Sequence, residues 1–385
     1  MYSMNKKLKV AVGMSGGVDS GVSAKLLVDA GYDVAGVHLH FWAEYDPSMG
    51  RENKCCSTES LMAARKTCDM LGIPFYTFNF EDIFKETVVE YFLKEFKELR
   101  TPNPCVVCNR KIKTGRLVKY VQGLGFDMLA TGHYIKLVEK NGEQYNSVKF
   151  DDMEKRREIL EKYPEHDPMF LMMGDDEKKD QSYFLYTMKQ EDLVHLVFPL
   201  GEMVKDDVRK LAVDWNLPVA TSKESFDICF IPGDNYRDFL MRHMPEYVNP
   251  GEVVDTTGEV IGKHEGLPFY SIGQRRGFTT NKIVPYYVIG FIKEKNQLIV
   301  GKGGETERAE FTVHSHTFAD VIDDGAECDV RLRHMGGFNP AVIENRDGTY
   351  VVKLKTPQRG ITPGQSAVMY KDRVLLGGGV IDSVL

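Results

Sequence analysis

The chain has 385 residues, 42% hydrophobic and 27% charged. That balance fits a globular protein of two or three domains and excludes a disordered, collagen-like or small disulfide-scaffold description of the whole. The formal net charge is −7, so the surface as a whole does not advertise nucleic-acid binding. No run of about 18 apolar residues occurs, which excludes a transmembrane helix. The start carries Lys6, Lys7 and Lys9 before a glycine loop and is too short for a secretory leader. A cytoplasmic protein is therefore expected.

In chain order, LKVAVG predicts a strand, and VDSGVSAKLLVDA a helix closed by Gly31. DVAGVHL predicts the second strand. Ser57 is placed to cap a helix through Leu71, with Glu59 in its first turn. PFYTFNF and DMLATGHY predict further strands, with helices over Glu81–Leu99 and Asn109–Leu124 between them. Strands separated by helices imply right-handed crossovers and an α/β, doubly wound parallel sheet. The polar stretch Glu139–Pro168 is expected to be an inserted excursion. Helical spacing returns in QSYFLYTMKQEDLVHLV and in DDVRKLAVDWNL, which stops before Pro218. Beyond Cys229 come a helix (NYRDFLMRHM) and short alternating runs with turn residues, predicting antiparallel hairpins and a small β-barrel. The expected division is 1–228, 229–303 and 304–385.

GMSGGVDS follows the first strand and opens the first helix, so Gly13, Met14, Ser15, Gly16, Gly17, Val18, Asp19 and Ser20 form a candidate phosphate loop. Adjacent glycines let backbone N–H groups converge on an anion, and the helix N-terminus adds its positive dipole end. Asp19 would repel a bare phosphate but can hold a Mg²⁺ that bridges phosphates. The kinase-type loop needs a Lys before its Ser or Thr, and here Val18 and Asp19 precede Ser20.

The seven cysteines are Cys55, Cys56, Cys68, Cys105, Cys108, Cys229 and Cys328. An odd number without a leader argues for a reducing compartment, with thiols used for chemistry or metal. TPNPCVVCNRKIK sets Cys105 and Cys108 just before the basic helix, near its N-terminus, where the dipole and Arg110, Lys111 and Lys113 favour the thiolate. The segment Arg110–Lys119 holds five basic residues and no acid, a candidate phosphate-binding face. With Cys229 in SFDICFI, three readings stand. Cys108 and Cys229 could serve as nucleophile and persulfide carrier; Cys105, Cys108 and Cys229 could hold an iron–sulfur cluster; or the thiols could hold zinc with His133. Cys68 and Cys328 read as packing residues, and Cys55 and Cys56 stay ambiguous.

The phosphate loop, TPNPCVVCNRKIK, ATGHY, KKDQSYFL, SFDICFI, YSIGQRRGF and TPGQSAVMY occur in one order, and together they resemble the bacterial tRNA-specific 2-thiouridylase family of PP-loop ATP pyrophosphatases. The resemblance implies ATP-dependent thiolation of the wobble uridine in tRNAs of the Lys, Glu and Gln type. It implies a PP-loop domain, a linking domain and a C-terminal barrel that helps hold tRNA. It also implies a persulfide donor such as a cysteine desulfurase or sulfur relay protein. Carried over by position, Gly13–Ser20, Leu39 and Gly132 contact ATP, Cys108 is the nucleophile and Cys229 bears the persulfide. Asn103, Pro104 and Cys105 adjoin the target base, and His133, Lys179, Asp180, Gln181, Arg333, His334 and Gln365 meet tRNA. This chain has Cys105 where the family often has Asp, Gly21 for the usual Ser, His334 for Tyr, and a longer 139–168 segment. The alternatives kept open are a cluster-dependent thiolase, another PP-loop adenylating enzyme, and a zinc-stabilised RNA-binding module. Gln274 and Arg275 fit either a turn or an RNA contact.

Overall fold

A computed structural model describes residues 7–42, 44, 57–222, 228–231, 235–319 and 322–385. The strands of the first half are β1 (Lys9–Gly13), β2 (Asp33–His40), β3 (Phe75–Asn79), β4 (Met128–Ala130), β5 (Ile135–Asn141), β6 (Gln144–Ser147), β7 (Met169–Met173) and β8 (Leu196–Val197). The parallel sheet has the order β3-β2-β1-β4-β8. Val10, Ala11 and Val12 of β1 are fully buried, as a central strand covered on both faces requires. The chain leaves β1 towards β3 and returns through β4 on the other side. The carboxyl ends of β1 and β4 thus form the switch point where such sheets bind ligands.

Local chemistry sets the helix boundaries. Helix α1 (Val18–Asp29) begins directly after the glycine loop. In α2 (Thr58–Leu71) the Ser57 hydroxyl accepts from the Ser60 N–H at 3.2 Å, and Gly72 closes the helix at φ +66°. The helical span Glu81–Lys97 contains a π-helical stretch at Lys85–Val89, and the span Pro104–Gly123 contains one at Asn109–Arg116. A Cβ on Gly115 would lie 2.4 Å from the Arg110 carbonyl oxygen, so the widened turn needs glycine there.

Strands β9 (Gly251–Val254), β10 (Val260–His264), β11 (Thr279–Thr280), β12 (Tyr287–Ile292) and β13 (Gln297–Gly301) form a second sheet. Its pairs are antiparallel except β9–β13, which is parallel. The third group is β14 (Glu307–Phe318), β15 (Ala326–Arg331), β16 (Asn339–Arg346), β17 (Thr349–Arg359), β18 (Ser366–Lys371) and β19 (Val374–Val384). It runs β14-β17-β16-β15-β18-β19 and closes where β14 pairs with β19. The ring is filled by side chains such as Phe311, Val330, Ile343, Val352 and Met369, as a small barrel must be.

The 139–168 stretch, expected to be an inserted excursion, leaves the parallel sheet between β4 and β8 and holds the β5–β6 hairpin and the helix Met153–Lys162; β7, which follows it, pairs with β19 of the barrel through Met172–Val374 and Leu171–Leu375. Buried Arg156 of that helix donates to the carbonyls of Val148 and Leu196 at 2.9 and 3.0 Å, which ties the segment down. One expectation is corrected: QSYFLYTMKQEDLVHLV is not one helix but a 3₁₀ turn (Ser182–Phe184), a single turn (Gln190–Leu193) and then β8. The Asp180 carboxylate accepts from the Ser182 N–H and hydroxyl, and the Tyr183 hydroxyl donates to the Ser366 carbonyl at 2.9 Å. These tertiary bonds outweigh helical spacing.

Candidate active site

At the switch point the glycine loop turns on itself. The Ser20 hydroxyl donates to the Gly17 carbonyl at 3.0 Å and accepts from the Ser15 N–H at 3.2 Å. Gly16 has φ +77°, and a Cβ there would lie 2.3 Å from the Ser60 carbonyl oxygen, so only glycine fits. Val18 is buried and opens α1. Gly132 faces the loop from the end of β4; its Cβ would stand 3.0 Å from Asp19.

Between these elements lies a cleft of about 250 Å³, lined by Gly13, Met14, Ser15, Asp19 and Ser20, by Val37, His38, Leu39 and Phe41, by Lys113 and Leu117, and by Thr131, Gly132, His133 and Gln181. Most of the expected nucleotide residues therefore converge. His133 and Gln181, expected at tRNA, also line this cleft. Burial, then the nearby Lys113 ammonium, holds the His133 imidazole well below its usual pKa, so it is neutral; its Nδ1 lies 2.8 Å from the Thr131 hydroxyl. His38 is also held neutral by burial, with Nδ1 2.8 Å from the Met14 carbonyl.

Sequence reasoning missed Lys205. Its ammonium donates to both Asp19 carboxylate oxygens, at 2.6 and 2.8 Å, and the Tyr134 hydroxyl donates to one of them at 2.7 Å. Nothing in the sequence marks a lysine at a helix start 186 residues away as a partner of the loop. A third of the Asp19 side chain stays open, and a single carboxylate completed by phosphates and water fits Mg²⁺.

The helix Pro104–Gly123 carries the thiols. The Asn103 side chain caps it by accepting from the Val106 N–H at 3.4 Å, and Pro104 fills its first position. Cys105 is exposed and Cys108 buried. Cys108 lies in an apolar cluster with Phe84, Phe92, Ile112 and Phe230, and half-buried Cys229 packs against the same cluster. Among the described residues, no group of three or more His, Cys, Asp or Glu side chains is placed to hold a metal ion. The cluster reading with Cys105, Cys108 and Cys229, and the zinc reading with His133, therefore gain no support. Burial pushes the Cys68 and Cys328 thiols up to about 11 and 12, which fits packing residues. Cys55 and Cys56 lie outside the described residues.

The remaining predicted residues divide. Gln365 donates to the carbonyls of Thr101 and Pro102 at 3.2 and 3.1 Å, holding the turn before Cys105. Lys179 is half-buried. Asp180 does not reach the surface: it is 2% exposed and accepts from Arg331 of β15 at 2.8 Å. Arg333 is exposed, and the His334 ring lies 4.4 Å from that of Phe184. Gln274 closes its own turn, accepting from the Ser271 N–H at 3.1 Å and donating to the Arg276 carbonyl at 2.7 Å.

A parallel sheet with a glycine loop at its switch point, a cleft walled by that loop and a thiol-bearing helix leading away from it define a PP-loop enzyme of the ATP-pyrophosphatase type. Comparisons narrow the class. Residues 8–233 match the family model described as the tRNA methyl transferase HUP domain. Residues 237–302 match the tRNA methyl transferase PRC-barrel domain, and 308–381 the aminomethyltransferase beta-barrel domain. The chain is 40% identical over 375 residues to the tRNA-specific 2-thiouridylase MnmA of Chloroflexus aurantiacus, covering 97% of this chain and 98% of that one. It is 41% identical over 382 residues to the protein of that name from Carboxydothermus hydrogenoformans, covering 98% of each. The chain belongs to the tRNA-specific 2-thiouridylase family. Among the described residues no helix is long and apolar enough to cross a membrane.

Proposed function

We propose that this chain is an ATP-dependent tRNA sulfurtransferase that forms 2-thiouridine at the wobble position, in tRNAs of the Lys, Glu and Gln type, in the cytoplasm. The observation that carries the reading is one helix with two tasks: Pro104–Gly123 carries exposed Cys105 and, buried against the cluster that also receives Cys229, Cys108 in its first turns, and it puts Lys113 and Leu117 into the nucleotide cleft. Activation and sulfur transfer are thereby held on one rigid element. In this reading 1–228 activates the base and carries Cys108, 229–303 links and brings Cys229 at its first residue, and 304–385 grips tRNA through Arg333 and His334.

The C2 carbonyl of uracil is a poor electrophile. Gly13–Ser20, Leu39 and Gly132 hold ATP so that the uracil O2 attacks the α-phosphate and pyrophosphate leaves. Asp19 would hold a Mg²⁺, which supplies charge neutralisation at the phosphates. A desulfurase or relay protein loads Cys229 as a persulfide. Its terminal sulfur attacks C2, and AMP departs with the original oxygen. The Cys108 thiolate then attacks the inner sulfur; the S–S bond to the transferred sulfur breaks, and a Cys108–Cys229 disulfide forms for a cellular dithiol to reduce. The base must be flipped out of the anticodon stack, at a cost of a few kcal/mol. Arg110, Lys111 and Arg116 on the exposed helix face suit the flanking phosphates, with Asn103, Pro104 and Cys105 beside the base.

The test is incubation with Mg-ATP, a persulfide donor and unmodified tRNA, followed by nucleoside mass spectrometry. ATP-dependent 2-thiouridine is expected. Release of AMP without it would leave another adenylating activity in its place. Cys108→Ser and Cys229→Ser should each abolish thiolation while binding tRNA as the parent does in a filter assay; substantial thiolation by either removes that residue from the mechanism.

A further inference from the structure

The thiol-bearing helix holds a cysteine that the sulfur transfer leaves unused. Cys105 and Cys108 stand three residues apart in its first turns, on one face, with about 5–6 Å between Cβ atoms. A disulfide needs about 3.5–4.5 Å between them, so a small closure joins the pair. The turn that must close is held by long bonds: the Val106 N–H reaches the Asn103 side chain at 3.4 Å, and the Val107 N–H the Asn103 carbonyl at 3.5 Å. The first N–H groups of a helix have few intrahelical partners to lose.

The thiols differ in access. Cys108 is 6% exposed and sits among Phe84, Phe92, Ile112 and Phe230, with half-buried Cys229 against the same cluster. A Cys108–Cys229 disulfide is therefore walled on its Cys108 side by apolar rings, where the sulfur of another protein has poor approach. Cys105, by contrast, is exposed. A CxxC near βαβ units is also a redox pattern in its own right.

Resting on the sulfur-transfer reading above, we propose that Cys105 is the resolving thiol of the cycle, taking the disulfide over from Cys229 and carrying it to the surface as a Cys105–Cys108 bond. The Cys105 thiolate attacks the Cys108 sulfur, the Cys108–Cys229 bond breaks, and Cys229 leaves as a thiolate ready for reloading. That exchange moves no net electrons. A dithiol protein then attacks the exposed Cys105 sulfur and supplies two electrons and two protons. Cys105 and Cys108 return to thiols, and the dithiol leaves as its disulfide.

The test begins with the full chain preloaded by a cysteine desulfurase and cysteine, freed of both, and given Mg-ATP and unmodified tRNA without reductant. After one turnover it is acid-quenched, alkylated and mapped by peptide mass spectrometry. The parent should hold a Cys105–Cys108 disulfide with Cys229 alkylated, and Cys105→Ser should stop at a Cys108–Cys229 disulfide. With the donor and a dithiol oxidoreductase kept present, Cys105→Ser should lower the rate of later turnovers relative to the first by about tenfold or more, because a bimolecular attack replaces an intramolecular one. A small phosphine, which reaches buried sulfur, should restore that ratio. A parent that keeps the Cys108–Cys229 bond with Cys105 alkylated overturns the proposal. So does a variant with an unchanged ratio, and if its first turnover is slowed, Cys105 is left as a residue that positions the base. Absence of 2-thiouridine from the parent's first turnover removes the sulfur-transfer reading itself.

Discussion

At Gly16 the sequence and the structure say the same thing for a local reason. Gly16 holds φ +77° inside the loop, and a glycine pair between a strand and a helix is visible in the sequence because that requirement is set within a few residues; the lack of room for a Cβ beside Ser60 of α2 is a tertiary constraint added to it. Charge is different. Lys205 reaches Asp19 across the fold, and Asp192 is a plain acid in QEDL until tertiary packing leaves it 7% exposed. Burial, then the neighbouring Glu191, raises the Asp192 carboxyl from 3.8 to about 6. Well below pH 4 the group is protonated in both states and carries no penalty; as pH rises from about 4 to 6 the unfolded chain ionises before the folded one and stability is lost, with no further change above that window. Asp192→Asn should therefore raise stability at pH 7.5 by about 1–2 kcal/mol, with the gain vanishing near pH 4. Urea denaturation at the two pH values checks this, and an equal effect at both would remove ionisation as its cause.

Among the elements, the thiol-bearing helix was legible in the basic run after Cys108, though the structure starts it at Pro104, behind the Asn103 cap, rather than at Asn109. Its π-helical middle was not, because i→i+5 bonding leaves the same apolar spacing in the sequence. Nor could the sequence place the turn that leads into the helix. Thr101 donates from its N–H to the Pro363 carbonyl at 2.9 Å and from its hydroxyl to the Ser271 hydroxyl at 2.9 Å, and Gln365 holds the carbonyls. Gly364, at φ +92°, would set a Cβ 2.7 Å from the Thr101 carbonyl oxygen. Gly364→Ala should therefore push the turn and lower the thiolation rate by about tenfold, at a stability cost of about 1–3 kcal/mol. Nucleotide affinity should stay unchanged in the same preparation; a parallel loss of both would mean general unfolding.

Across the whole molecule, the barrel is joined to the parallel-sheet half by the β7–β19 pairing and by buried Asp180 and Arg331. The Arg331 guanidinium also lies 4.2 Å from the Phe338 ring. Arg331→Leu strands a buried carboxylate, so the denaturant midpoint should fall by the equivalent of about 3–5 kcal/mol, and Asp180→Asn added to it should recover a large part. An unrecovered double variant would place the cost in lost packing instead. The α/β sheet, the phosphate loop, the basic helix after Cys108 and the hairpins are written in spacing and turn chemistry, which act over a few residues, so the sequence alone determined them. The parallel β9–β13 pair, the recruitment of β5–β7 into the barrel sheet, the lysine on Asp19 and the withdrawal of Asp180 from the surface were decided only by tertiary structure. Each depends on which distant groups are desolvated together, and one-dimensional spacing carries no record of that.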